Sequence, residues 1–358
     1  MFSEKAKDIM DACRFCWMCR HVCPVASVTG NEANTPRARG LVLSMDSRGI
    51  PYSKEAVDIV FQCCLCSACT NNCVTGYDPT VYTREARSIA IANALLPPWL
   101  ESIVDKALSG DLKFVDERAD EEYEALCKEL PSTAEVLLYR GGYTASAVPL
   151  MKVLKVAGVD FTIIGGELST GSHLGDLVGY VEDVRDVAEQ WIDQVVNTGA
   201  NKVVVLNPTD AAFIKQQMAE WKLQMPFSVE TATGYVSRLI TEGSLSVRKK
   251  DMEVTFHDPT RLARILDDTS TPRLLLEASG VSFKEMFLHG KLTTSTGSAL
   301  MHILYPEIVA LMVENRWKEI LRTGVRTVVT ASCENAALLR SAAPEGAHVV
   351  DIFSLLLD

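Results

Sequence analysis

The sequence predicts a multi-domain α+β chain, in which a helical, cysteine-rich domain is followed by two duplicated α/β lobes with parallel sheets. Nine of the eleven cysteines lie within the first 73 residues. From about residue 132 onward, short apolar strands alternate with helices, which is the βαβ signature of a parallel sheet. A chain of 358 residues also has room for two or three domains, at roughly 100–200 residues each.

The composition argues against two classes of function. The formal net charge is −11 and no basic run stands out, so nucleic acid is not an expected partner. The amino terminus, MFSEKAKDIM, is charged and lacks the apolar core of a signal peptide. No stretch reaches the ~18 apolar residues that span a bilayer. We therefore expect a cytoplasmic chain, or one held at a membrane only through a partner.

The cysteines of the first domain form two copies of the pattern C-x2-C-x2-C-x3-C. The copies are Cys13, Cys16, Cys19 and Cys23, and Cys63, Cys66, Cys69 and Cys73. Three thiolates spaced in this way wrap one [4Fe–4S] cubane, and the fourth binds the other cluster in two-cluster ferredoxins. We therefore predict one cluster on Cys13, Cys16, Cys19 and Cys73, and a second on Cys63, Cys66, Cys69 and Cys23.

Other uses of these cysteines fit the pattern less well. Structural zinc usually takes two CxxC knuckles, or cysteine with histidine, in one tetrahedral site. Disulfides belong to oxidising compartments, and the sequence predicts no secretion. Because the exchanged fourth ligands tie two separated loops together, we expect the domain not to fold without its clusters.

Several neighbours of the predicted ligands need separate interpretations. Cys64 does not fit the spacing and is expected to be a thiol beside the cluster, and His21 is expected to be satisfied or to face solvent. Arg37 and Arg39, in TPRARG, either lie over a cluster and offset its charge or belong to a solvated loop. The apolar residues between ligands are expected to shield the clusters from water; they are Phe15, Trp17, Met18 and Leu65.

The helices of the first domain are predicted in order along the chain, over residues 4–12, 36–48, 53–62 and 80–94. The pair Pro97-Pro98 ends the last of them. Two acidic helices over 99–130 follow, and Cys127 is expected to be a small hydrophobic residue on the second. We therefore place the ferredoxin-like domain at 1–96 and a helical linker at 97–131.

The lobes begin where strands appear. Strands are predicted over 135–139, 160–164, 202–206, 253–256 and 349–353, with helices over 148–157 and 184–198. Residues 199–212, GANKVVVLNPTDAA, are similar to residues 324–337, GVRTVVTASCENAA, and Ser169-Thr170-Gly171 is similar to Ser295-Thr296-Gly297. Two matches at nearly the same offset indicate an internal duplication, with lobes at 132–247 and 248–358.

This plan resembles the CCG-domain proteins. They include heterodisulfide reductase catalytic subunits, the iron–sulfur subunit of glycolate oxidase and the small iron–sulfur subunit of anaerobic glycerol-3-phosphate dehydrogenase. Residues 257–262, HDPTRL, are similar to the family segment His-Asp-Pro-Cys-x-Leu. Thr296-Gly297 followed by Tyr305-Pro306-Glu307 is similar to the family's second Cys-Cys-Gly region. An Asp-Pro turn that closes a strand is the simpler account of His257 and Asp258.

The lobes depart from the family at its cysteines. Family lobes carry a lone Cys, a Cys-Cys-Gly and a Cys-Pro-x-Cys, which hold non-cubane clusters in heterodisulfide reductases. Here these positions fall on Gly142, 169–171 and 207–210 in the first lobe, and on Thr260, 295–297 and 332–335 in the second. No family cysteine is kept, and Cys333 falls one place off. We therefore expect no non-cubane cluster and no heterodisulfide reduction.

The predicted function is an iron–sulfur electron-transfer subunit of a multi-subunit oxidoreductase related to heterodisulfide reductase. It would relay electrons between a flavoprotein, electron-transfer flavoprotein or hydrogenase-like partner and another acceptor, with any flavin on that partner, the lobes as scaffold and no catalytic residue of its own. A redox-sensing or structural subunit is one alternative. Another is a catalytic reductase with a substrate or flavin bound in lobe clefts lined by Thr170, Asn207, Asp210, Thr260, Thr296, Ser332 and Asn335.

Overall fold

The computed structural model describes residues 2–45, 49–50 and 53–357, and these divide into two compact units. The first unit contains the described residues up to Phe114, together with Gly171–Arg185 and Thr294–Arg316. The second contains Val115–Thr170, Asp186–Thr293 and the described residues from Trp317 onward. Two short segments from the later part of the chain therefore belong to the unit that carries the cysteine motifs.

The helices up to the first strand are α1 (Glu4–Asp11), α2 (Pro24–Thr29), α3 (Pro36–Ser44), α4 (Glu55–Phe61), α5 (Ala68–Asn71), α6 (Pro79–Ala92), α7 (Pro98–Leu108) and α8 (Glu121–Lys128). Side-chain caps define several of their first turns. The Thr35 hydroxyl accepts a hydrogen bond from the Ala38 amide at 3.1 Å, and Pro36 occupies the first turn of α3. The predicted helices of this part are confirmed, apart from residues 46–48 of the second, which lie outside the described residues.

The later helices are α9 (Val148–Val156), α10 (Ser172–Val178), α11 (Glu182–Thr198), α12 (Pro208–Ala212), α13 (Ala232–Thr241), α14 (Ser270–Ser279), α15 (Ala299–Leu304), α16 (Pro306–Leu321) and α17 (Cys333–Ser341). A π-helical turn, Phe213–Met218, continues α12, and a second, Arg261–Ile265, follows the fifth strand. None of the described helices is long and apolar enough to cross a membrane.

The second unit contains two four-stranded parallel sheets. The first has the order β2-β1-β3-β4 and consists of β1 (Val136–Tyr139), β2 (Phe161–Thr162), β3 (Lys202–Val205) and β4 (Ser228–Thr231). The second has the order β6-β5-β7-β8 and consists of β5 (Glu253–His257), β6 (Ser282–Lys284), β7 (Thr327–Thr330) and β8 (His348–Asp351). The chain therefore has the α+β class that the sequence predicts, with parallel sheets.

Both sheets contribute to one hydrophobic core. Leu138 and Val204 from the first sheet and Phe256 and Val329 from the second are fully buried members of the same cluster. Central strands buried on both faces read as continuous apolar runs, as in the sequence KVVV of β3. This is why the sequence reveals the central strands clearly.

The structure corrects two predicted strands. The strand predicted over 160–164 is only Phe161–Thr162, at the edge of its sheet. The strand predicted over 349–353 ends at Asp351, and a 3-10 turn, Ile352–Leu356, follows. The cause of the second difference is the Asp351 carboxylate, which accepts a hydrogen bond from the Phe353 amide at 2.9 Å and so caps the turn.

Candidate iron–sulfur site

Cysteines from both motifs line one small cavity in the first unit. The three cysteines Cys63, Cys66 and Cys69 come from the second motif, and Cys23 is the last cysteine of the first. Cys23, Cys66 and Cys69 are buried, and Cys63 is half-buried. The structure therefore brings together the four thiols that the sequence assigns to one cluster, although they come from loops 40 or more residues apart.

The two ligand loops share an unusual backbone conformation. Phe15 and Leu65 occupy the same place in their motifs, directly before the second cysteine, and have φ angles of 52° and 50°. A non-glycine residue in this left-handed region costs on the order of 1–3 kcal/mol and persists only where the surroundings impose it. Its occurrence at equivalent positions indicates that both motifs build the same loop.

The first loop is more exposed than the second. Cys16 is exposed, Cys13 is half-buried and Cys19 is buried. Burial raises the pKa of Cys19, and the neighbouring thiols of Cys13 and Cys16 raise it further. The Phe15 amide donates a hydrogen bond to the Cys13 sulfur at 3.4 Å. The first three cysteines of the motif therefore lie close together around one loop.

Several hydrogen-bond donors surround the sulfur atom of Cys73. Its burial opposes ionisation, but hydrogen bonds from the Thr75 side chain and from the amides of Thr75, Tyr77 and Gly76 lower the pKa of the thiol below its usual value. Burial is the main cause of the raised pKa of Tyr77, and Cys13 is among the thiols that add to it. The segment after Cys73 thus lies near the first loop.

Two arginines of α3 reach different loops. Arg37 donates through Nε to the Phe15 carbonyl at 2.9 Å, and its guanidinium lies 4.3 Å from the centre of the Trp17 ring. Arg39 is buried, lines the four-cysteine cavity and donates through Nε to the Ile59 carbonyl at 2.8 Å. Residues two apart on a helix point to different sides, which is how one helix serves both loops. A solvated loop, one of the two interpretations of TPRARG, is therefore wrong.

Two further buried arginines connect the end of α4 to Asp176. Arg87 donates to the carbonyls of Phe61 at 3.2 Å and Cys63 at 2.6 Å, and also to the Val60 carbonyl and the Asp176 backbone. Arg84 donates two hydrogen bonds to the Asp176 carboxylate, at 2.9 and 3.2 Å. This network fixes the backbone that carries Cys63.

Cys64 is buried and lines the same cavity as its neighbours. A hydrogen bond with Cys66 and burial raise the pKa of the Cys64 thiol well above its usual value. The Cys64 thiol is therefore paired with Cys66, one of the predicted ligands. This geometry supports the interpretation of Cys64 as a non-ligand.

The four-cysteine cavity suits an iron–sulfur cluster in its donor chemistry. Burial raises the pKa of Cys23 to about 11, so thiolates in this cavity need a compensating positive charge. Iron supplies that charge, and soft thiolates are the ligands of its clusters. Among the described residues, no three His, Cys, Asp or Glu side chains converge on one metal ion. The thiolates of a cubane bind separate irons.

The polar residues expected to line lobe clefts do not form one group. Thr170 donates through Oγ1 to Asp210 at 2.6 Å, and Thr209 donates to Glu334 at 3.0 Å, all in the second unit. Thr296 belongs to the first unit. The second unit has a cavity of about 210 Å³, but its lining includes none of the seven predicted residues.

Asp258 has a structural role, as the simpler account of the HDPTRL segment proposes. Its carboxylate accepts hydrogen bonds from Arg273, one of them at 2.9 Å, and from the Gly290 amide at 2.7 Å. The residue is buried directly after β5, where these bonds fix the turn.

Comparison with known proteins adds a family and several relatives. The 4Fe–4S dicluster domain family matches residues 9–77. A dihydromethanophenazine:CoB–CoM heterodisulfide reductase subunit of Methanosarcina acetivorans is 24% identical over 359 residues, covering 90% of this chain and 86% of that protein. The corresponding subunit of Methanosarcina barkeri is 24% identical and covers 98% of this chain and 93% of its own length.

A probable membrane-anchored ferredoxin of Chromohalobacter salexigens is also 24% identical, over 77% of this chain. The chain spans about half of that longer protein, 48% of its length. Among solved structures, a glutamate racemase from Bacillus anthracis covers 63% of this chain and 79% of its own, with a TM-score of 0.31 and 10% identity. A likeness this low carries no inference.

The amino-terminal region is therefore a 4Fe–4S dicluster domain, and the chain is an iron–sulfur protein. Over most of its length it is related to these heterodisulfide reductase subunits, in keeping with its resemblance to the CCG-domain proteins.

Proposed function

We propose that the chain is an electron-transfer subunit of a multi-subunit oxidoreductase and relays single electrons through two [4Fe–4S] clusters. The observation that carries this proposal is the cavity that Cys23 shares with Cys63, Cys66 and Cys69. A single isolated cluster motif would not need a cysteine from the other loop, whereas a two-cluster domain exchanges its fourth ligands.

The ligand sets follow from that exchange. The first cluster would be held by Cys13, Cys16, Cys19 and Cys73, and the second by Cys63, Cys66, Cys69 and Cys23. When bound, such clusters supply one-electron chemistry, and the protein supplies position and electrostatics. The hydrogen-bond donors around the Cys73 sulfur support its assignment as a thiolate ligand.

The two loops would play different parts in electron transfer. Cys16 is exposed, as are the neighbouring side chains of Trp17 and Met18, at 46% and 55% of their surface. A redox partner could therefore approach the first loop closely. Cys66 and Cys69 are buried, so the second loop excludes water and needs a charged residue of the protein to balance its thiolates.

The partner would be another subunit of a redox complex, such as a flavoprotein, an electron-transfer flavoprotein or a hydrogenase-like module. The relatives support a complex, since they are named as subunits of heterodisulfide reductase. We propose a cytoplasmic location, or one in which a partner holds the chain at a membrane. The relative named as a membrane-anchored ferredoxin supports that association.

The lobes would act as scaffold and as a docking face, without a non-cubane cluster. The family's cysteine positions hold residues such as Gly142, Asn207 and Thr260 in this chain. We also propose that the lobes arose by duplication, which the equivalent strand orders β2-β1-β3-β4 and β6-β5-β7-β8 support. We also propose that the helical linker begins at residue 97 and that the two lobes begin at residues 132 and 248.

Chemical analysis of the full chain, prepared without oxygen, tests the proposal. We expect about eight irons and about eight acid-labile sulfides per chain, and two EPR signals that appear on reduction. Four irons, or zinc in a colourless protein, would contradict a two-cluster relay. Electron flow through the complex that survives cluster loss in Cys66→Ser would instead favour a structural role for the clusters.

One observation favours the alternative of a catalytic reductase. The Asn207 amide nitrogen and the Tyr143 hydroxyl are buried in the second unit, and neither has a hydrogen-bond partner among the described residues. Such atoms are costly unless a ligand or water satisfies them. Flavin released from the purified chain, or turnover of a thiol, quinone or organic acid by the chain alone, would support this alternative over the relay.

A further inference from the structure

Arg39 is a buried cation with an unused hydrogen-bond donor. Its side chain is almost fully buried, with 1% of its surface exposed. Nε donates to the Ile59 carbonyl, but Nη2 is buried and has no partner among the described residues. An unsatisfied charged donor is costly inside a protein, so the functional state of the site must provide an acceptor.

The surroundings of Arg39 show where that acceptor lies. Arg39 lines the cavity that the thiols of Cys23, Cys63 and Cys69 share, and its Nη2 has no carboxylate partner among the described residues. The anion that balances Arg39 is therefore the occupant of the four-cysteine cavity.

We propose that Arg39 is the positioning residue that raises the reduction potential of the second cluster, by placing a positive charge and the Nη2 donor against its sulfur atoms. This inference rests on the proposed function, because it requires a cluster on Cys23, Cys63, Cys66 and Cys69. Reduction adds a negative charge to the cluster, and a nearby cation favours the reduced form. The effect is weakly screened because the site is buried.

Arg37 supplies a matched control on the same helix. It lies two residues before Arg39 and contacts the first loop through the Phe15 carbonyl. Unlike Arg39, it is partly exposed and forms an ion pair with Glu32 at 3.3 Å. Solvent and the Glu32 carboxylate both weaken its field, so removal of its charge should affect the first cluster far less.

The test is an EPR-monitored redox titration of the full chain, with Cys66→Ser used to identify the signal of the second cluster. In Arg39→Gln, we expect the equilibrium constant for reduction of that cluster to fall at least about tenfold, which is 59 mV for a one-electron couple. The equilibrium constant for reduction of the first cluster should not change. Arg37→Gln should leave the second cluster within about threefold of wild type, and the equilibrium constant in Arg39→Lys, which keeps the charge but loses the Nη2 donor, should fall by less than in Arg39→Gln.

Two results would overturn the inference while leaving the proposed function intact. In the first, Arg39→Gln retains both clusters and neither equilibrium constant changes by more than about threefold. In the second, the equilibrium constant for reduction of the second cluster falls as far in Arg39→Lys as in Arg39→Gln, which would show that the positive charge does not cause the effect. A wild-type chain without clusters would instead refute the proposed function.

A second measurement serves if Arg39→Gln does not assemble its second cluster. Protein labelled with 15N-arginine should show a nitrogen coupling to the reduced second cluster in pulsed EPR. The coupling should persist in Arg37→Gln and disappear in Arg39→Lys. A coupling that survives in Arg39→Lys, or that is absent from wild type, would contradict the contact between Nη2 and the cluster.

Discussion

Cys63 and Cys64 are neighbours in the sequence, yet the structure gives the two thiols different surroundings. The Cys63 thiol is half-buried, whereas the Cys64 thiol is buried and forms a hydrogen bond with Cys66. We therefore expect Cys63→Ser to lose about half of the iron per chain and Cys64→Ser to retain all of it. Iron analysis of both purified variants measures this. Equal iron loss in the two would show that Cys64 also binds a cluster.

Asp351 predicts a pH dependence at the residue scale. Burial raises its pKa to about 7 although the Phe353 amide bonds to it. The folded chain therefore binds a proton more tightly than the unfolded chain, so stability falls as pH rises from about 4 to about 7. At ~1.4 kcal/mol per unit, the cost above pH 7 is on the order of 4 kcal/mol.

Asp351→Asn keeps an acceptor for the Phe353 amide and removes the charge. We expect it to raise the melting temperature at pH 8 and to leave it nearly unchanged at pH 5. Asp251→Asn, which removes a carboxylate at an exposed position, provides the control. A wild-type stability that is flat across this range, or that rises from pH 5 to 8 by an amount that Asp351→Asn removes, would refute the assignment.

The sequence predicts the roles of some residues in this site and not of others. The eight predicted ligands follow from spacing alone, because a cubane dictates how its thiolates are spaced. Arg84, Arg87 and Asp176 could not be found in this way, and for Arg39 the sequence left two interpretations open. Arginines in amphipathic helices normally face solvent, and only the packed structure shows that these are buried.

At the element scale, Gly40 allows helix α3 to pack directly against Tyr77 and Tyr82. A methyl group added at Gly40 would overlap the Tyr77 hydroxyl and lie 3.3 Å from that of Tyr82. Tyr77 is buried and donates to the Pro36 carbonyl at 3.1 Å, so it has little room to yield. In most helix interiors, alanine stabilises relative to glycine by ~1 kcal/mol.

Here we expect the opposite sign. Gly40→Ala should destabilise the chain by about 1–3 kcal/mol and lower its melting temperature, because overpacking outweighs helix propensity. Tyr77→Phe removes the oxygen that the new methyl group would meet, so the double variant should recover part of the loss relative to Tyr77→Phe alone. A melting temperature that rises in Gly40→Ala would contradict this packing.

Whole elements were predictable where burial leaves a periodic pattern. The central strands β1, β3 and β5 and the helices α9 and α11 follow from apolar runs and glycine stops. The strands β4 and β6 did not, because they lie at sheet edges and expose part of their residues, as in Ser228–Thr231. Edge strands of this kind leave no apolar run in the sequence.

At the scale of the whole molecule, the order of domains along the chain differs from the grouping in space. The sequence pattern places Gly171–Arg185 and Thr294–Arg316 within the lobes, whereas the structure groups both with the cysteine motifs. The pattern of apolar and polar residues changes at strand and helix boundaries, but it does not show which distant segment a helix contacts. The Arg84–Asp176 ion pair, which joins residues 92 positions apart, is a contact of that kind.

The proposed exchange of fourth ligands would make the first unit depend on both motifs at once. Cys23 lies with the second motif in the structure, so its loss should act at a distance along the chain. A variant at Cys16 should affect only the first cluster, and a variant at Cys66 only the second. These two variants therefore identify which EPR signal belongs to which loop.

The most direct measurement is the EPR spectrum of the reduced full chain carrying Cys23→Ser, compared with Cys16→Ser and Cys66→Ser. We predict that Cys23→Ser alters or abolishes the same signal as Cys66→Ser and leaves the other signal unchanged. If Cys23→Ser instead alters the signal that Cys16→Ser alters, each motif holds its own cluster with its own four cysteines, and the exchange of ligands between the loops is wrong.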